Sequence, residues 1–227
     1  MDKGVCHLSQ IPLRGEPRSG AEMVSQLLYG ETYSILKQDG DWYHIKMDYD
    51  GYEGWLSSSS INIARHVSNH CSLSLLSTVK SEFSQDTVLC SMGSQHADFT
   101  EEVKPFINDI AKRFLGSPYL WGGRHFSGID CSGFVQIVYK VLGVKLPRDA
   151  SQQQKVGKAI SFDNLFAGDM VFFHKNEKIG HVGLVLAPGK VIHSHGKVRI
   201  DILTKEGIIN SETNELTHHY HSAKRLG

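Results

Sequence analysis

The hydrophobic period changes twice along this chain, and those changes bound its fold more tightly than any single motif. Up to about residue 60, short apolar runs alternate with polar residues and stop at glycine-containing turns, as strands do. From Glu101 to Gly143 the apolar residues recur every three to four positions, the spacing of a helix face. From Met170 to Asp201 short apolar runs bounded by turn residues return. A strand-rich segment, then helices, then a strand meander predict a small all-β barrel followed by an α+β domain.

In the first segment the runs Thr32-Tyr33-Ser34-Ile35-Leu36 and Trp42 to Met47 read as strands, with turns at Tyr29-Gly30-Glu31, Gln38 to Asp41 and Asp50-Gly51. Trp42, His44 and Lys46 alternate with Tyr43, Ile45 and Met47, and a further strand starts at Gly54-Trp55-Leu56. Ser57-Ser58-Ser59-Ser60 is a low-complexity seam that marks a boundary. Between 61 and 104, Leu73–Val79 and Thr87–Cys90 read as strands around a turn at Ser91 to Ser94. That stretch is either a structured linker or a degenerate second barrel.

In the next segment Val103, Phe106, Ile107, Ile110, Phe114 and Leu115 make one amphipathic helix, with an acidic start at Glu101-Glu102 and a stop at Gly116. Cys131, Phe134, Val135, Val138, Val141 and Leu142 make a second, beginning at or just before Cys131 and ending at Gly143. Strands follow at Met170–Phe173, His181–Leu186, Lys190–His193 and Val198–Asp201, with turns at Gly168-Asp169 and Pro188-Gly189. At about 150 residues per domain, 227 residues accommodate the division 1–60, 61–104 and 105–227.

Composition narrows the function classes. Lys+Arg and Asp+Glu both number 24, which removes the electrostatic footprint of a nucleic-acid binder. No apolar run reaches the roughly 18 residues of a membrane span. The start, Met1 to Ser9, lacks the apolar core of a secretory signal, so a cytoplasmic chain is expected, with a periplasmic or secreted chain whose leader was removed as the alternative. Cys6, Cys71, Cys90 and Cys131 are scattered without a C-x-x-C pair, which indicates neither a zinc knuckle nor a disulfide framework. Thirteen histidines suggest metal at first, but there is no H-E-x-x-H, and the densest group, His218-His219-Tyr220-His221, reads as a solvated polar tail. No metal and no cofactor are expected.

Cys131 is the residue that points to chemistry. It falls in the first turn of its helix, where unpaired N–H groups and the positive end of the macrodipole favour an anion, and a thiolate is such an anion. Asp130 and Ser132 flank it, and Gly128 and Gly133 permit close approach of a ligand. His181 opens one apolar strand and His193 ends another twelve residues later. A hairpin through Pro188-Gly189 brings both imidazoles to one end of the sheet, a nucleophile, base and orienter arrangement. Of the remaining residues, His195 reads as a rim position, Arg148 and Asp149 as a structural pair, and Cys6, Cys71 and Cys90 as core or surface thiols.

The series Tyr119-x-Trp121-Gly122-Gly123, Asp130-Cys131-Ser132-Gly133-Phe134, Ala167-Gly168-Asp169-Met170, Gly180-His181-Val182-Gly183-Leu184 and Ile192-His193-Ser194 resembles the NlpC-type papain-like cell-wall peptidases over about 105–203. The pattern Gly30-Glu31-x-Tyr33-x-Ile35-Leu36, Gly40-Asp41-Trp42-Tyr43-x-Ile45 and Asp50-Gly51-Tyr52-Glu53-Gly54-Trp55-Leu56 resembles the bacterial SH3-like barrel. The whole chain is similar to γ-D-glutamyl-L-diamino-acid endopeptidases of the dipeptidyl-peptidase VI type. The resemblance implies an α+β papain-like domain, helices packed on an antiparallel sheet, behind the barrel. It implies Cys131 as nucleophile, His181 as base and His193 as third polar residue. Tyr119, Trp121, Asp130 and Ser132 would line the substrate cleft, with Asp130 meeting the substrate's α-ammonium. Glu22 and Tyr52 would be the barrel's acid and tyrosine in the amine pocket. Two positions depart from the pattern: Gly180 stands where close relatives often carry a second histidine, and Ala150 where some have serine. Both bear on affinity and specificity.

The implied reaction is hydrolysis of the bond between D-Glu and the diamino acid in murein stem peptides with a free N-terminal L-Ala, by a monomer. Two other readings are a wall-peptide binding module without catalysis, and an amidase or acyltransferase of the same fold.

Overall fold

The computed structural model describes residues 2–62, 106–175 and 178–227. The expected strands between 63 and 105, the acidic start of the first helix, Cys71 and Cys90 lie outside the described residues. The chain divides into two compact units that do not follow its order: Met1–Gln95 with Trp121–His125, and His96–Leu120 with Phe126–Gly227.

In the first unit, strands β1 (Lys3–Val5), β2 (Gln10–Arg14), β3 (Met23–Leu28), β4 (Thr32–Asp39), β5 (Trp42–Met47) and β6 (Glu53–Ser57) form one six-stranded antiparallel sheet in the order β1-β4-β5-β6-β2-β3. Alternation decides what is buried: in β5, Ile45 and Met47 face the core and Lys46 faces solvent. Cys6, Ile11, Leu13, Leu27, Tyr33 and Leu56 complete that core. Asp39 stands opposite Trp42, so Gly40-Asp41 closes a tight hairpin where the sequence places a turn.

Residues 121–125 belong to this unit because Arg124, in the two-residue strand β7 (Arg124–His125), is buried in it. The guanidinium is 1% exposed. Its Nη1 and Nη2 donate to the two carboxylate oxygens of Glu31 at 2.8 and 2.9 Å, and Nη1 also donates to the Gln26 carbonyl at 2.6 Å. The Arg124 N–H donates to Gln26 Oε1 at 2.7 Å. Gly122 has φ +76°, and a Cβ there would collide with the Met23 carbonyl of β3. The first glycine of the Trp-Gly-Gly run is therefore required by close backbone approach as well as by its left-handed conformation.

The second unit contains α1 (Ile107–Lys112), β8 (Gly128–Ile129), α2 (Cys131–Val141), α3 (Ala150–Gln153) and strands β9 (Lys158–Ile160), β10 (Met170–Lys175), β11 (Lys178–Ala187), β12 (Lys190–His195), β13 (Lys197–Leu203), β14 (Gly207–Ile209) and β15 (Leu216–Arg225). The sheet order is β10-β11-β12-β13-β14-β15-β9, and β10 also pairs with β15. The antiparallel sheet thus closes on itself from β10 to β15. Val171, Phe173, Val185, Val191, Leu203, Ile208 and Ala223 pack together as one cluster. The other residues of the same strands, among them Met170, Phe172, Val182, Leu184 and Ile192, are equally buried.

Helix α2 starts at Cys131 as its spacing predicts, but it buries every residue from Cys131 to Val141 rather than one stripe. Gln136 is accommodated because its Nε2 donates to the Leu146 carbonyl at 3.0 Å. Helix α1 is shorter than its periodicity suggests, giving way to turns after Lys112. His218 to His221 are not the polar tail that their composition suggests but the middle of β15, which pairs with β10, β14 and β9. Strand pairing is made by backbone groups, and Ala223 is the one residue of β15 that is fully buried, so an apolar signal was absent.

Candidate active site

Asp130 precedes α2 in an extended conformation and caps it, Oδ1 accepting the Gly133 N–H at 2.7 Å. Cys131 is therefore the first helical residue, amid amides that have no helical acceptor. The N–H groups of Val182 and Ser132 point at its sulfur and favour the thiolate. Burial, with the charge of Asp130 added, outweighs them and pushes the thiol up to about 12. Val182 follows His181 in β11, so the helix start and the start of that strand converge on the sulfur.

Strands β11 and β12 form the expected hairpin through Pro188-Gly189, with Gly183 opposite His193. A Cβ on Gly183 would lie 3.0 Å from His193 Cβ and 2.8 Å from Val191 Cγ2, so glycine leaves the room that the His193 side chain occupies. His181 Nε2 lies 2.8 Å from His193 Nδ1. His193 Nε2 lies 3.0 Å from Asp201 Oδ2 on β13. This relay of His181, His193 and Asp201 is buried throughout.

Other rings surround it. His218 stacks on His181 with centroids 4.1 Å apart and planes 25° apart. His195 stands edge-on to His218 at 4.8 Å, and Phe173 lies 5.9 Å from His181. Burial, then the neighbouring His193, His218 and His195, hold His181 well below the usual imidazole range. Burial also lowers His193, against the opposing pull of Asp201. Asp201 is held well below the ordinary carboxylate range although its burial works the other way: it accepts from His193, from the Ser211 N–H and hydroxyl, and from Arg199.

Asp201 was missed by sequence reasoning. The signal available was the alternation in Val198 to Ile202, which places Arg199 and Asp201 on one face of a strand next to that of His193.

The remaining candidate residues are divided between the two units. In the second, Tyr119 is anchored by its N–H to the Gly196 carbonyl at 2.9 Å. Burial, then the proximity of Cys131 and Asp130, push its phenol up to about 12. Ser132 Oγ accepts from Arg148 Nη1 at 2.9 Å and donates to Asp130 Oδ1. Arg148 also donates to both Asp130 oxygens. Arg148 is therefore a partner of Asp130, while Asp149 caps α3. Asp130 is buried and needs a buried cation, and Asp149 sits at a helix start where amides serve it. In the first unit, the exposed Trp121 donates its Nε1–H to Glu22 Oε1 at 2.6 Å, and Tyr52 is half-buried against that unit's core. Among the described residues no three His, Cys, Asp or Glu side chains could together hold a metal ion.

The profile of the NlpC/P60 family matches residues 116–221, and that of the bacterial dipeptidyl-peptidase Sh3 domain matches 13–61. The chain is 30% identical over 223 residues to a γ-D-glutamyl-L-lysine dipeptidyl-peptidase of Bacillus subtilis (strain 168), covering 79% of this chain and 75% of that protein. It is 35% identical over 128 residues to the murein DD-endopeptidase MepS/murein LD-carboxypeptidase of Escherichia coli (strain K12), covering 55% of this chain and 64% of that one. The solved structure of an NlpC/P60 family protein from Bacillus cereus ATCC 10987 superposes with a TM-score of 0.73 at 20% identity, covering 99% of both chains. A thiol at a helix start beside a strand that carries a histidine, in a sequence that aligns with a dipeptidyl-peptidase along most of its length, places the chain in the NlpC/P60 family, with an SH3-like domain ahead of its papain-like domain.

Proposed function

We propose that this protein is a cysteine peptidase that hydrolyses the γ-D-glutamyl–diamino acid bond of murein stem peptides bearing a free N-terminal L-Ala. The observation that carries the reading is Cys131 at the head of α2 beside the strand of His181, with His193 behind that base.

As the Cys131 sulfur attacks the scissile carbonyl, its proton passes to His181, and the first-turn amides of α2 receive the negative charge that develops on oxygen. His181 then returns the proton to the leaving amine, which leaves an acyl-thioester. Water attacks that ester with His181 again as base. Burial disfavours an isolated thiolate and an isolated imidazolium alike, so the proton moves within the pair and the two titrate as a unit.

The substrate's α-ammonium needs a carboxylate within hydrogen-bond reach. Both oxygens of Asp130 are engaged by Arg148 and the helix start, and the residues that the resemblance implies for the amine's partner are Glu22 and Tyr52. Asp130 and Ser132 then organise the nucleophile's helix, and Tyr119 borders the sulfur. Peptides with a free alanine are released only after the stem has left the glycan, so a cytoplasmic monomer acting on imported peptides belongs to the same reading.

Incubation with L-Ala-γ-D-Glu-meso-diaminopimelate, followed by mass spectrometry, should yield L-Ala-D-Glu, with no product from Cys131→Ala. Absence of turnover on this and longer stem peptides would sink the proposal and favour a binding module. N-acetylation of the alanine should abolish cleavage, and equal rates on blocked and free peptides would remove Glu22 from the amine site.

A further inference from the structure

We infer that Asp201 is a positioning residue which, acting through His193, fixes the tautomer of His181 so that its Nδ1 lone pair is the one available to the Cys131 thiol. The inference rests on the assignment of Cys131 and His181 as nucleophile and base.

The donors along the relay fix the order of its protons. Asp201 Oδ1 accepts three hydrogen bonds, from Ser211 N–H at 2.9 Å, Ser211 Oγ at 2.9 Å and Arg199 Nη2 at 3.1 Å. Arg199 Nε lies 2.9 Å from Oδ2. A carboxylate so surrounded is ionised and can only accept. His193 Nε2, 3.0 Å from Oδ2, must then carry the hydrogen. His193 is fully buried and is held neutral by that burial, so it has one N–H, and Nδ1 is a bare acceptor. The 2.8 Å contact from His193 Nδ1 to His181 Nε2 must therefore be supplied with a proton by His181. His181 is neutral as well, which leaves Nδ1 as its unprotonated nitrogen. When the sulfur attacks, the S–H proton moves to that nitrogen, and His181 becomes an imidazolium that still donates from Nε2. Asp201 never takes a proton.

Asp201→Asn reverses the order. Three donors converge on the Oδ1 position, so the amide carbonyl settles there and the NH₂ faces His193 Nε2. His193 then accepts at Nε2 and carries its proton on Nδ1. That proton faces His181 Nε2, and the proton of His181 is displaced to Nδ1, where it blocks the lone pair. Substitution of the orienting acid in a serine triad, which imposes the wrong tautomer in the same way, lowers kcat by about 10⁴.

For this relay the expectation is a kcat lower by at least about 100-fold with KM changed less than about threefold, the pattern of a group acting in the transition state alone. Alkylation of Cys131 by iodoacetamide at pH 7 should slow in parallel, a readout that needs no peptide substrate. In the native protein labelled with ¹⁵N-histidine, His193 and His181 should both carry their proton on Nε2, and in Asp201→Asn both should carry it on Nδ1. Circular dichroism establishes that the variant is folded. A native spectrum with protonated Nδ1 at either ring overturns the inference without any variant. So does a folded Asp201→Asn protein with unchanged kcat and alkylation rate. If instead the native protein alkylates at Cys131 and shows the expected tautomers but cleaves no stem peptide, the substrate assignment fails while the relay stands.

Discussion

Acidification should destabilise the second unit well before its carboxylates protonate. His181 and His193 are 5% and 0% exposed, and burial lowers both imidazoles in the folded state. In the unfolded chain each titrates near 6.5. Below that pH the unfolded state binds more protons, so stability falls as pH falls. At pH 5.5 an imidazole barred from protonating in the fold costs about 1.4 kcal/mol, against less than about 0.1 kcal/mol at pH 7.5. The expected loss between these pH values is about 1.4 kcal/mol if His181 alone is fully excluded from protonation and about 2.8 kcal/mol if both are. Asp201 moves in a separate window, because its folded-state pKa is depressed and its contribution is lost only below the ordinary carboxylate value of about 3.9. His221 is also lowered but is exposed, and solvent screening reduces its share. Trp42, Trp55 and Trp121 all lie in the first unit, so tryptophan fluorescence is blind to this loss. Hydrogen exchange of peptides from β11 to β13, corrected for intrinsic rate, reads it directly, with β2 to β5 as internal reference. In His181→Asn the loss should shrink by about 1.4 kcal/mol. Equal protection of β11 to β13 at pH 7.5 and 5.5, or an undiminished loss in His181→Asn, would refute the reasoning.

Two further outcomes follow from buried contacts. Glu31→Gln removes the carboxylate that holds the buried Arg124 guanidinium at both Nη atoms, and should destabilise the first unit by about 3–5 kcal/mol, while Glu31→Gln with Arg124→Met should recover part of that loss; urea unfolding followed by tryptophan fluorescence measures both. Gly183→Ala places a methyl against Val191 and His193, and should cost about 1–3 kcal/mol and lower kcat more than it raises KM. Wild-type kcat in that variant would mean that His193 does not depend on the space Gly183 leaves.

Sequence reasoning succeeded where local pattern and tertiary environment agree. β5 alternates between core and solvent, β10 to β12 read as strands because they are short apolar runs bounded by turn residues, and the start of α2 was legible because Cys131 begins the periodicity. It failed where a partner distant in the chain supplies the reason. β2 contains Pro12, which withholds a ladder donor and weakens the strand signal. Nothing in the neighbouring sequence sets Arg124 apart, and its reason is Glu31, 93 residues away. That single pair explains why part of a motif in the second half of the sequence is built into the first unit. Asp201 was passed over for the same reason, since the alternation that places it beside the strand of His193 reads as a solvent-facing charge unless its partner is known.

The abundance of histidine acquires a physical role once β15 is recognised as a strand. His181, His193, His195 and His218 lie together, linked by ring contacts of 4.1 to 6.3 Å. A positive charge on one ring raises the cost of charge on the next, and burial raises it further, so the group is stable only with its buried members neutral. That is the condition under which each imidazole keeps one proton and one lone pair, and hence under which an order of tautomers can be passed from Asp201 to His181. Aromatic hydrocarbon rings would fill the same space and exclude the same water, but would neither accept nor pass on a proton. The thiol is pushed up as the base is pushed down, which leaves proton transfer between the two, with no separate ionisation of either, as the inexpensive route to a nucleophile in this buried setting.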